Sequence, residues 1–172
     1  MIKIPYVQLF TDGSCIPNPG NGGYSWILRH ISSGKEIEGG GGFELSTNSR
    51  MEMWAIISGL QRLNQSCYVN IYTDSHFLVD SIQKDWYLRW ISPKYGIWKS
   101  SRRVHVANID LWRRLLPLID YHSMTIDHIK AHNGHDENER CDQLAKQFAK
   151  QGCQERDEGY FLSSHEQIVY EL

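Results

Sequence analysis

Residues 6–12 read Tyr-Val-Gln-Leu-Phe-Thr-Asp, and residues 68–74 read Tyr-Val-Asn-Ile-Tyr-Thr-Asp. Both stretches alternate and are rich in β-branched and aromatic residues, the signature of half-buried strands. In the first, Val7, Leu9 and Thr11 share one face while Gln8, Phe10 and Asp12 share the other. Both end in Thr-Asp with the aspartate in the same phase, so as parallel neighbours they would carry Asp12 and Asp74 to one side of one sheet end. Either aspartate alone reads more simply as a turn former; the shared phase weakens that reading.

Working outward from the first stretch, a polar turn rich in Gly and Pro (12–23) leads to a strand over 24–30. Ser32, Ser33 and Gly34 then turn the chain into a third strand near 35–44, completing an antiparallel meander. The run Gly39 to Gly42 predicts a bulge or a close backbone approach. Helical patterns follow at 49–64 and 75–83, on either side of a strand at 68–73, and a broken basic helical region reaches His105. Asn108 is a suitable N-cap for a helix from Ile109, and Pro117 should kink or end that helix. A last strand covers 124–129, and Asp136 with Glu139 opens an amphipathic helix to about Gln151. The expected class is α/β: a five-stranded mixed sheet, three antiparallel then two parallel strands, flanked by helices. The expected domain is 1–151, with a tail at 152–172 either docked or mobile.

Of 172 residues, 18 are Lys or Arg and 20 are Asp or Glu, a net charge of −2 that argues against a general polyanion binder. The charge is unevenly spread. Eight basic residues between Lys84 and Arg114 face only Asp85 and Asp110, a local +6, and the remainder carries −8. Four of the six tryptophans, Trp86, Trp90, Trp98 and Trp112, lie in the same segment. Basic groups interleaved with flat rings suit a phosphate backbone with stackable bases; the plainer alternative is a solvated helix face over core tryptophans. The four cysteines form no C-x-x-C pair and read as free thiols of a reducing, cytoplasmic compartment. No leader-like or membrane-length apolar run is present, and a monomer without an obligate protein partner is expected.

Two further acids join the aspartates. Glu52 continues the apolar stripe of Ala55, Ile56, Leu60 and Leu63, although Ser49-x-x-Glu52 also matches a capping box. Asp142 continues the stripe of Ala145 and Ala149, or pairs with Lys146 at i+4. Four acids gathered at one sheet end repel one another, and hard divalent cations are the natural remedy for an all-oxygen set. Two ions, Mg2+ with Mn2+ as substitute, would serve an in-line displacement at phosphorus.

At this point the sequence resembles type I ribonuclease H over about residues 6–150. The resemblance rests on ordered blocks: TDGS with PNPGNGGY (11–14, 17–24), TNSRMEM (47–53), YTDS (72–75), DLWRRL (110–115) and IKAHNGHDENERCDQLA (129–145). It implies a metal quartet at Asp12, Glu52, Asp74 and Asp142, and a catalytic histidine at His132, with His135 as a structural neighbour. It implies RNA-strand contacts at Cys15, Asn18 and Asn48, a DNA-phosphate site at Thr47 and Asn108, and a base-edge contact at His76. It also implies a basic protrusion over 86–105, with Trp86, Trp90, Lys99, Arg102 and Arg103 gripping the DNA strand. The chain departs from the family pattern in having His76 for a glutamine, Ser49 for an amide and Ala131 for a glycine, and no phosphate-pocket arginine near Leu45. The implied activity is hydrolysis of the RNA strand of an RNA/DNA hybrid, leaving 5'-phosphate and 3'-hydroxyl ends. The alternatives are a non-catalytic hybrid-binding module and a DNA-processing nuclease of the same fold.

Overall fold

The computed structural model describes residues 4–94, 98–100, 105–129, 136–151 and 155–163. Strands β1 (Tyr6–Cys15), β2 (Gly20–His30) and β3 (Glu36–Ser46) form the meander. Helix α1 (Asn48–Gln61), strand β4 (Tyr68–Thr73), helices α2 (His76–Gln83), α3 (Trp86–Trp90) and α4 (Ile109–Tyr121), strand β5 (Ser123–His128) and helix α5 (Asp136–Gln151) follow. The sheet order is β3-β2-β1-β4-β5. β1 pairs antiparallel with β2 and parallel with β4, in the register Tyr6 to Tyr68 through Phe10 to Tyr72. The two sequence stretches thus lie side by side without slip, and a one-residue shift would have sent the two aspartates to opposite faces.

The meander face bearing Val7, Leu9 and Leu28 packs against α1, whose Met53, Ile56, Ile57 and Leu60 are fully buried. Helix α5 lies across β1, β2 and β3. Its approach requires a bare backbone at Gly23, where a Cβ would stand 2.1 Å from the Ala145 carbonyl oxygen. Gly13 plays the same part at the site: a Cβ there would meet the Glu52 backbone nitrogen at 2.3 Å, so glycine lets the end of β1 touch the first turn of α1.

Several expectations need correction. The glycine run makes a close approach but no bulge: β2 and β3 stay in register from Gly39 to Gly42, and the irregularity falls at Gly20 and Gly22. Helix α4 continues through Pro117 to Tyr121. Buried Leu111, Trp112 and Leu115 hold it in place, and Pro117 is exposed, so the lost bond falls on the solvent side. Asn108 occupies the N-cap position in a left-handed conformation (φ 59°), without a capping side-chain hydrogen bond. The N-cap of α1 is Thr47, which places Ser49 inside the helix and removes the capping box.

The tryptophans of the basic segment also belong mainly to the core. Trp90, Trp98 and Trp112 are buried, and Trp90 and Trp112 meet edge to face at 5.0 Å. Their faces serve packing, because large rings release the most apolar area when buried. Trp90 is therefore removed from the stacking surface expected of it.

One junction had no sequence signal. Arg50 is 1% exposed; it donates to Asp157 from Nε and Nη2, both at 2.6 Å, and to Asp110 from Nη1 and Nη2 at 2.9 and 2.6 Å. Ser46 Oγ adds a bond to Asp157 at 2.6 Å, and the Glu44 amide donates to the Glu155 carbonyl. The described part of the tail, 155–163, is thereby docked on α1, α4 and β3. Burial lowers the Arg50 pKa, but the two carboxylates more than reverse this, so the guanidinium is held firmly charged.

Candidate active site

Asp12, Asp74 and Asp142 line one cleft of about 220 Å³ together with Gly13, Ser14, Asn48 and Asn138. Asp12 lies within the buried run of β1, Asp74 follows the last residue of β4, and Asp142 projects from α5 one position beyond buried Cys141. Glu52 reaches in from the first turns of α1. Its Oε2 accepts from Ser75 Oγ at 2.6 Å and its Oε1 from Asn48 Nδ2 at 3.2 Å. The fold brings Asp12, Asp74 and Asp142, singled out by phase and stripe, to one cleft, with Glu52 close enough to act on Asp12.

The electrostatics of the cleft are unbalanced. The Asp12 carboxyl is pushed up to about 8, first by burial and then by Asp74; the hydrogen bond from the Gly13 amide (2.7 Å) opposes this, and Asp142 and Glu52 add to it. Burial also raises Glu52; the Ser75 bond lowers it, Asp74 raises it and the Asn48 bond lowers it. A cation placed among these acids would favour their charged forms.

The donor set fits a hard divalent ion, being entirely oxygen and crowded with negative charge. Among the described residues no three of these acids yet converge on a common ligating point. Two of the four are held by other partners: Lys146 Nζ donates to Asp142 at 2.7 Å, and Ser75 and Asn48 donate to Glu52.

A ladder of polar contacts joins the cleft to the loop after β1. Asn48 Oδ1 accepts from the Cys15 amide at 3.1 Å, and Asn18 Oδ1 accepts from the Asn48 amide at 3.2 Å. The Cys15 thiol donates toward the carbonyls of Pro17, Gly20 and Ser46, each at 3.3 Å; burial pushes its pKa up, and the Gly20 contact opposes this. Exposed Asn18 and half-buried Asn48 and Thr47 remain on the rim. His76 is exposed at the start of α2, and its ring stacks on His128 with centroids 3.6 Å apart. Asn108 contacts Arg50 Nη1 at 3.4 Å. Trp86 is half-buried with Lys84 over its ring, and Lys99 forms an isolated bridge to His105. Exposed Arg113 and Arg114 lie over Trp98 and Trp54. His132, Arg102 and Arg103 lie outside the described residues.

Sequence reasoning missed Asn138. It is 3% exposed, one turn before Asp142, and its Oδ1 has no hydrogen-bond partner among the described residues. A buried acceptor left unmade costs about 1–3 kcal/mol. The available signal was positional: Asn138, Cys141, Ala145 and Ala149 form one buried helix stripe, in which an amide is out of place.

A mixed five-stranded sheet with an acidic cleft at the ends of its central parallel strands defines the class as a nuclease-type α/β fold. The sequence profile of the RNase H family matches residues 5–150. A ribonuclease H from Nitratidesulfovibrio vulgaris is 45% identical over 154 residues, 90% of this chain and 96% of that one. Among solved structures, LC9-RNase H1, a type 1 RNase H with the type 2 active-site motif, superposes with a TM-score of 0.71 at 24% identity over 90% of this chain and 76% of that chain. LC11-RNase H1, solved in complex with an RNA/DNA hybrid, gives 0.60 at 17% identity over 84% and 97%. These two likenesses concern the fold. The chain belongs to the ribonuclease H family, and its enzymatic activity is that of a ribonuclease H.

Proposed function

We propose that this protein hydrolyses the RNA strand of RNA/DNA hybrids at a site formed by Asp12, Glu52, Asp74 and Asp142, leaving 5'-phosphate and 3'-hydroxyl ends. The observation that carries the reading is the in-register pairing of β1 and β4, which delivers Asp12 and Asp74 to one cleft with Asp142 and leaves Asp12 with a pKa near 8. The relative LC11-RNase H1, solved with a hybrid, supports the substrate class. The four acids would hold two Mg2+ ions, with Mn2+ as substitute, which supply water activation and charge neutralisation at the scissile phosphate.

The chain's own residues do the rest. Ser75 and Asn48 orient the Glu52 carboxylate, and Lys146 holds Asp142 until it is needed. Cys15, Asn18 and Asn48 form a linked rim suited to the RNA strand, whose 2'-hydroxyls accept and donate. Thr47 and Asn108 would contact a DNA phosphate, His76 offers an exposed ring edge, and His132 would move a proton in the reaction. Trp86, Lys99, Arg102 and Arg103, with Arg113 and Arg114, form the basic grip on the DNA backbone. We take the protein to be a cytoplasmic monomer; among the described residues no helix is long and apolar enough to cross a membrane.

The test is incubation with labelled hybrid, RNA duplex and DNA duplex, with Mg2+ or EDTA. Metal-dependent loss of the hybrid's RNA strand alone is expected. Binding without cleavage would make this a non-catalytic module, and cleavage of DNA would make it a DNA-processing nuclease.

A further inference from the structure

We infer that His128 is a positioning residue for substrate binding: its ring stacks on His76 and holds that imidazole with its edge free for a base of the hybrid. The inference rests on the base-edge reading of His76 above and names what orders that contact. The two rings lie face to face, with centroids 3.6 Å apart and planes 11° from parallel. Neither ring forms a hydrogen bond among the described residues, so the stack is the contact that orients the exposed His76 ring.

The fold brings the rings together from two directions. Along β5, Met124, Ile126 and His128 share a face by alternation, and Ile126 is buried, so His128 extends the buried stripe to the end of the strand. That end is the cleft end, because His128 is in register with Thr73, one residue before Asp74. His76 opens α2 directly after Ser75, whose hydroxyl donates to Glu52 at 2.6 Å and whose amide donates to Thr73 Oγ1 at 3.2 Å. The far end of α2 is tied to the same strand, where Gln83 Nε2 donates to the Ile126 carbonyl at 2.7 Å.

The stack is not a chelate. Cofacial rings carry their nitrogen lone pairs in nearly parallel planes, so an ion between them would lie out of both planes, whereas imidazole binds metals through in-plane nitrogens. What a face contact supplies is order. His76 stands at a helix start, where its side-chain torsions would otherwise be free, and a side chain immobilised only on binding weakens that binding. A flat ring against its face orders the imidazole before substrate arrives and leaves its nitrogens for a base edge.

The experiment measures kcat and KM on a hybrid with Mg2+, and folding by circular dichroism, for wild type, H76A, H128A, H128L, H128F and the double variant of H76A with H128A. H128A and H128L should raise KM about fivefold with kcat unchanged, because ordering of the His76 ring then falls on binding. H128L keeps the bulk against the start of α2, so a folded variant without the stack is at hand. H128F restores a flat face without nitrogens and should return KM to the wild-type value. H76A should raise KM at least as far as H128A, and combining the two should add nothing, since His128 acts through His76. Wild-type KM in folded H128A or H128L overturns the inference, as does a loss confined to kcat. So does a loss in H128F equal to that in H128L, which would make the His128 nitrogens the working groups, and so does a further loss in the double variant, which would make the effect independent of His76. If H76A itself keeps the wild-type KM, the base-edge reading has failed; a raised KM in H76A with none in H128A and H128L removes only His128.

Discussion

Two buried charge clusters lie on either side of the first turn of α1, and they are opposites. At the Arg50 junction one guanidinium is enclosed by Asp157 and Asp110 with every short contact made. In the cleft, Lys146 reaches only Asp142, no ion pair is made by Asp12, Asp74 or Glu52 among the described residues, and burial with the neighbouring acids drives Asp12 up to about 8. Arg50 and Glu52, two positions apart on one helix, serve the two. Compensated burial fixes the structure and docks the tail; uncompensated burial stores a demand for a ligand. The difference separates a structural network from a functional one more sharply than burial or charge alone.

The comparison breaks first at Asp12. Asp12→Asn should reduce hybrid cleavage more than about 1000-fold, a barrier increase of about 4 kcal/mol. The same change should stabilise the metal-free protein. Asp12 has a folded pKa above its unfolded value, so its favourable contribution is complete below about pH 4 and is lost as pH rises through about 8. In EDTA, the melting temperature of Asp12→Asn should therefore rise relative to wild type across that window. Equal melting curves throughout would show that the cleft carries no stored charge.

The junction should respond in the opposite way. Asp157→Ala leaves a buried guanidinium half-paired, and we expect a loss of about 3 kcal/mol, read as a lower melting temperature, with kcat at low temperature largely kept. A large loss of kcat in the folded variant would merge the two clusters into one functional unit. The smallest effect belongs to Lys146, which competes for Asp142 from a half-exposed position. Lys146→Ala should lower the Mg2+ concentration for half-maximal activity about threefold, since such a pair is worth less than about 1 kcal/mol. A higher Mg2+ requirement would show that Lys146 assists the site.

What the sequence made legible was local and periodic. Period-two alternation with a shared terminal Thr-Asp sufficed for the β1–β4 register, and the Asp136 start with its apolar stripe predicted α5 to its last residue. Long-range partners were not legible. Asp157 meets Arg50 across 107 positions, and neither residue's neighbours announce the other. The basic segment misled for a related reason: composition counts tryptophans but cannot tell which side of a chain they face, and Trp90, Trp98 and Trp112 face inward. Asn138 was hidden because an asparagine near a helix start reads as capping, and only its place in a buried stripe beside the cleft distinguishes it.

On the proposed function, the acids of the cleft take up a cation. The most direct measurement is the titration of the Asp12 side-chain carboxyl by carbon-detected NMR, once in EDTA and once with saturating Mg2+. The account predicts a midpoint near 8 without metal, and an ionised carboxylate throughout the neutral range with it. A midpoint near the ordinary value of 3.8 in EDTA, or one that Mg2+ leaves unmoved, would contradict it.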